Sequence, residues 1–71
     1  MNKPWTIVRT ETRPDGRTID LWYAEFGKGR AKTKSWKIFC GNEQLDYAVN
    51  EPDADENFRR AVITGKGRKE S

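Results

Sequence analysis

Four stretches of the chain alternate apolar and polar side chains, and turn-forming residues separate them. Trp5–Thr12 is rich in Thr, Val and Ile. Thr18–Phe26 carries Ile19, Leu21 and Tyr23 at alternate positions. Thr33–Cys40 carries Trp36, Ile38 and Cys40, and Gln44–Val49 carries Leu45, Tyr47 and Val49. Period-two alternation over such lengths predicts strands with one buried face. The punctuation is Arg13-Pro14-Asp15-Gly16-Arg17, then Gly27-Lys28-Gly29-Arg30, then Gly41-Asn42. Proline presets φ at the first central position of a turn, and Gly16 suits a left-handed bulge position. Gly41 suits the positive φ of a two-residue hairpin.

Turn lengths predict registers. Closing Pro14–Gly16 as a loop sets Ile7 opposite Tyr23 and Val8 opposite Trp22. A four-residue Gly27–Arg30 loop sets Leu21 opposite Trp36, Ile19 opposite Ile38, Asp20 opposite Lys37 and Glu25 opposite Lys32. A two-residue Gly41-Asn42 turn sets Cys40 opposite Glu43, Ile38 opposite Leu45, Lys37 opposite Asp46 and Trp36 opposite Tyr47. These registers gather Trp5, Ile7, Ile19, Leu21, Tyr23, Trp36, Ile38, Cys40, Leu45, Tyr47 and Val49 on one core face. The other face receives Val8, Trp22, Phe26 and Phe39, with Asp20, Lys37 and Asp46 as a ladder of alternating charge.

Beyond Val49 the period changes. Asn50-Glu51-Pro52 is a break, Asp53 is a predicted N-cap, and Glu56 three residues on completes a capping box. Phe58, Ala61 and Val62 recur at helical spacing, and Gly65 ends the helix. The predicted fold is α+β: a four-stranded antiparallel β-meander with one C-terminal α-helix packed on one face. Residues 1–65 form a single small domain and 66–71 a flexible basic tail. This strand order, four antiparallel strands followed by a helix, resembles that of the single-strand-binding coactivator fold. The resemblance is one of topology, which does not carry function.

Composition narrows the chemistry. The chain has 71 residues, of which 35% are charged and 34% hydrophobic. That is polar for a folded domain, and the aromatic residues must supply much of the core. Cys40 is the single cysteine, so no internal disulfide forms, and its place in the alternation makes it a small strand side chain. With no histidine there is no Cys/His nucleophile pair and no His-based metal site. The carboxylates Asp53, Asp55 and Glu56 open a short surface helix, where capping explains them better than acid–base catalysis. Gly27-Lys28-Gly29 lacks the spacing of a phosphate loop. No catalytic residue, metal or cofactor is predicted. The apolar runs are too short for a membrane span, and the chain is read as a soluble cytoplasmic protein.

Charge supplies the functional expectation. The formal net charge is +3, but it is segregated. Lys28, Arg30, Lys32, Lys34 and Lys37 crowd the second hairpin without an intervening acid. Ile38–Phe58 holds acids and no base. Cations beside flat rings neutralise phosphates and stack on bases. The first reading is a non-enzymatic nucleic-acid-binding module, for single strands before duplexes. Lys28, Arg30, Lys32, Lys34 and Lys37 would meet phosphates, and Trp22 and Phe39 would stack. The alternative is a small inhibitor or adaptor of the phage-accessory type. It would dock on a host or cellular protein through Trp22, Phe26, Asp53, Asp55 and Glu56.

Overall fold

The structure is a computed structural model that describes residues 4–27, 29–30 and 32–67. Strands β1 (Thr6–Thr12), β2 (Thr18–Phe26), β3 (Thr33–Cys40) and β4 (Glu43–Ala48) are followed by helix α1 (Glu51–Thr64). The strands form one antiparallel sheet in the order β1-β2-β3-β4. The helix packs across β2, β3 and β4 on one side. Ile19, Leu21, Trp36, Ile38, Leu45 and Ala48 meet Ala54, Phe58 and Ala61 there, with Tyr23, Cys40 and Val62 at the margin. Ala48, Ala54 and Ala61 are small, so the helix seats closely and Phe58 fills the space between layers. The fold is the α+β meander that the alternation predicts.

The registers differ from the predicted ones in instructive ways. Between β2 and β3 the pairs are Ile19–Cys40, Leu21–Ile38 and Tyr23–Trp36, two residues from those predicted. A two-residue slide keeps every side chain on its face, so the core survives the error. The cause is the connection between these strands. Pairing ends at Phe26–Thr33, leaving six residues in the loop, not four. Both Gly27 and Gly29 adopt positive φ. The slide also sets Tyr23 against Trp36 with ring centres 5.1 Å apart.

The outer strands break alternation. In β1, Ile7 pairs with Trp22 and Arg9 with Leu21, so Val8 is a bulge. The extra residue sends Ile7 to the face away from the helix and puts Val8, predicted on that face, beside Leu21, Trp36 and Ala54 on the helix side, where the hairpin register already holds Arg9. Arg9 lies over the Phe58 ring at 5.0 Å and bonds Asp55 at 3.0 Å. A guanidinium on an aliphatic stem therefore roofs the edge of the core beside Leu21. In β4, Phe39 pairs with Gln44 but Ile38 with Asp46, so Leu45 is the extra residue. Tyr47 is turned outward opposite Lys37, and Ala48 takes the core place. Of the predicted core, Ile7, Tyr47 and Val49 are exposed, and Trp5 lies on the far face.

The helix ends are both built from outside the apolar pattern. Asn50, not Asp53, is the N-cap: its Oδ1 accepts from the Asp53 backbone N–H at 2.9 Å. Its Nδ2 donates to the Asp53 carboxylate at 3.0 Å. Pro52 is no break, because the first turn of a helix has no use for the N–H that proline lacks. Gly65, at φ 76°, closes the other end by donating to Ala61 O at 2.7 Å.

The last turn contains no basic residue. The cation comes instead from the first hairpin. Arg13 Nε donates to Val62 O at 3.0 Å and its Nη2 to Ile63 O at 3.4 Å. Asp15 steadies this clamp by an ion pair with Arg13 and by accepting from the backbone N–H and Nε of Arg17. The chain remains packed as far as Gly67, where a Cβ would lie 1.7 Å from Leu45 O. The rest of the predicted tail, 68–71, lies outside the described residues.

Two outcomes are expected. Arg13→Ala should destabilise the fold by about 1–3 kcal/mol in urea unfolding, from loss of charged hydrogen bonds and dipole compensation. Arg13→Lys should recover only part, because it restores the charge and not the fork. The second outcome concerns pH. The Arg17 backbone N–H, with the two guanidiniums, holds the Asp15 carboxyl below its ordinary value of 3.8. A depressed carboxylate contributes stability that is full above that value and fades as pH falls through the folded-state value. Asp15→Asn should therefore weaken the fold at neutral pH and flatten the acid limb of its urea midpoint plotted against pH.

Candidate nucleic-acid interface

One helix covers one face of the sheet. Alternation then dictates what the uncovered face presents. From β2 it takes Asp20, Trp22, Ala24 and Phe26, and from β3 Ser35, Lys37 and Phe39. The two bulges add Ile7 and Tyr47, and Trp5 folds onto the same face. Five rings result: Trp5, Trp22, Phe26, Phe39 and Tyr47.

The rings are arranged around a small-residue floor. Ala24 pairs with Ser35 across the central strands, and both are buried although no helix covers them. Ser35 Oγ and Tyr47 OH share a hydrogen bond at 3.2 Å. Trp5 packs edge-on to Phe26 with centres 5.6 Å apart, and Trp22 edge-on to Phe39 at 6.4 Å. Lys37 stands among them with its Nζ 4.5 Å from the centre of the Trp5 ring. Phe26 and Tyr47 are 42% and 47% exposed, which is open for rings of this size. A depression of about 360 Å³ is lined by Trp5, Trp22, Lys37, Phe39, Gly41 and Asn42.

The predicted charge ladder does not form. Lys37 pairs with Trp22 on one side and Tyr47 on the other, while Asp20 pairs with Phe39. Asp20 accepts from Thr10 Oγ1 at 3.0 Å. Among the described residues no carboxylate lies within ion-pair distance of Lys37. A cation held by a ring face, without an acid, is available to an incoming anion.

The predicted phosphate set is divided by the sheet. Trp22, Phe39 and Lys37 share the uncovered face. Lys34 has the parity of Trp36 and Ile38, and it lines a different depression with Tyr23, Trp36, Val49 and Glu51. Lys32 has the same parity and approaches Glu25 at 4.0 Å. Arg30 is exposed in the β2–β3 loop, and Lys28 lies outside the described residues.

The alternative set is divided too. Trp22 and Phe26 share the uncovered face, but Asp53, Asp55 and Glu56 belong to the helix on the other side. Asp53 is engaged in the N-cap, and Asp55 pairs with Arg9 and with Arg59 at 3.2 Å.

Sequence reasoning missed Trp5, Tyr47 and Asn42 as members of the site. Nothing in the apolar pattern marks the two bulges that turn the outer strands. Asn42 follows directly from the hairpin, since a two-residue turn projects its second residue at the sheet end. No protein-family model, curated protein or solved structure matches the chain.

Proposed function

We propose that the protein is a non-enzymatic binding module that takes single-stranded nucleic acid on the uncovered face of its sheet. The observation that carries this reading is Lys37, lying over Trp5 between Trp22 and Tyr47 with no acid within ion-pair distance among the described residues. Unpaired bases offer flat faces to aromatic side chains, and stacking is worth about 1–3 kcal/mol per base. A duplex hides those faces, so the same surface would discriminate against it. Arg30, Lys32 and Lys34 lie at the β2–β3 end of the sheet. Their charge reaches roughly 8–10 Å through physiological salt and would draw the phosphate chain toward Phe26.

A second reading has one observation in its favour. Of the charged residues in β2 and β3, alternation puts only Asp20 and Lys37 on this face. So low a charge density suits a protein surface, with Trp22 and Phe26 as anchors of an inhibitor or adaptor acting on a cellular protein.

Fluorescence-anisotropy titration with a labelled oligothymidylate, its duplex form and two salt concentrations tests the first reading. The single strand is expected to bind more tightly than the duplex and to weaken as salt rises. Trp22→Ala should lower affinity by roughly tenfold or more, the worth of one stacked base. Lys37→Gln should reduce the slope of log affinity against log salt by about 0.7, one phosphate contact on a single strand. Lys32→Glu/Lys34→Glu should act mainly on the salt-dependent part. Absence of binding at low salt overturns the reading. Capture of a cellular protein that Trp22→Ala abolishes would then favour the second.

A further inference from the structure

The depression at the β3–β4 end has the parts of a base-reading site. The inference below rests on the nucleic-acid reading and deepens it. Trp5, Trp22 and Phe39 supply walls, and Lys37 and Asn42 supply polar groups. The Lys37 ammonium occupies one face of Trp5. Trp22 and Phe39 remain as stacking surfaces. Their planes meet at 72°, so a base lying flat on one presents its edge toward the other. The space, about 360 Å³, is of the size and shape that small-molecule sites use, and it is open on the solvent side.

Asn42 sits at the rim through its turn. Gly41 has φ 63° and Asn42 does not have positive φ, the signs of a type II′ hairpin with glycine at its first central position. This fixes Asn42 at the tip, beside the rings. Among the described residues its amide has no hydrogen-bond partner, unlike that of Asn50 or Asn57. A side-chain amide places a donor and an acceptor side by side. Adenine offers the complementary pair, N6–H and N7, on one edge, whereas guanine has two acceptors there. On the Watson–Crick edge an amide fits every base, so a preference must arise on the N7 edge. Stacking adds to it, because a purine covers more of an indole than a pyrimidine does.

We propose that this cavity is a one-base subsite that prefers adenine, stacked on Trp22 or Phe39. The Asn42 amide would pair with the N6/N7 edge, and Lys37 would meet the adjoining phosphate. The subsite would give the module a sequence preference on top of general stacking.

The test uses oligothymidylates identical except for the central base: thymine, cytosine, guanine, adenine or 7-deaza-adenine. Each is titrated into the full chain at one salt concentration. The adenine oligonucleotide is expected to bind about tenfold more tightly than the all-thymine one, the order that one bidentate amide–base pair contributes. Removing N7, or Asn42→Ala, should each abolish most of that gain, and together they should cost no more than either alone. Asn42→Gly, which the turn geometry tolerates, repeats the measurement if the alanine variant is poorly folded by circular dichroism. Equal affinity for all five oligonucleotides overturns the subsite and leaves the nucleic-acid reading standing. So does an adenine preference that survives both Asn42 variants. Absence of binding to every one overturns both.

Discussion

The seating of Phe58 between the sheet and α1 determines which side of this protein is interior. Phe58 is almost wholly enclosed, as are Ile19 and Ile38 opposite it. Removing such a ring from a core costs about 3–5 kcal/mol, a large share of the stability expected for a chain this short. A domain with one helix cannot repeat that contact on the other side of the sheet. The far face must find another way to keep its rings from water, and it does so by edge-on pairing and by laying a lysine over an indole. The exposed aromatic face is thus the complement of the single-helix core.

The two bulges extend this division to the edges. Without the extra residue at Val8, Ile7 would face the helix opposite Tyr23 and Val8 would face away from it. Without the extra residue at Leu45, Tyr47 would point into the narrow space that Ala48 now occupies. Each bulge exchanges a larger apolar side chain for a smaller one on the helix side: Val8, next to Arg9 whose guanidinium lies over Phe58, and Ala48. The face away from the helix gains Ile7 and Tyr47 in return. Core packing and surface aromaticity are therefore two results of the same backbone irregularities.

Much of the fold was legible in the chain. The four strands to within a residue, the presence of the helix and its glycine stop follow from alternation and local backbone chemistry, whereas the helix start and the length of the second connection do not. The central register was wrong by two residues and did no harm, since parity alone sorts Leu21 and Ile38 from Trp22 and Lys37. The outer strands were not legible. Neither bulge contains a glycine, and a residue such as Arg9 looks like a solvent position until an aromatic ring is seen beneath it. For the candidate site, Trp22, Phe39 and Lys37 were readable as one face. The division of the lysine run was readable as well, because Lys34 shares its parity with Trp36. Counting charge along the segment concealed what alternation would have separated. Tyr47 and Trp5 could be assigned only once the bulge and the chain entry into β1 were known.

The grip of Arg13 on the carbonyls of Val62 and Ile63 joins positions nearly fifty residues apart. Helices form quickly from local contacts, but here the final turn is completed by a loop made at the start of the chain. The end of α1 can become fully ordered only after the β1–β2 hairpin has arrived. First hairpin and last helical turn should consequently fray and re-form together, as one cooperative unit at the end of the molecule remote from Asn50.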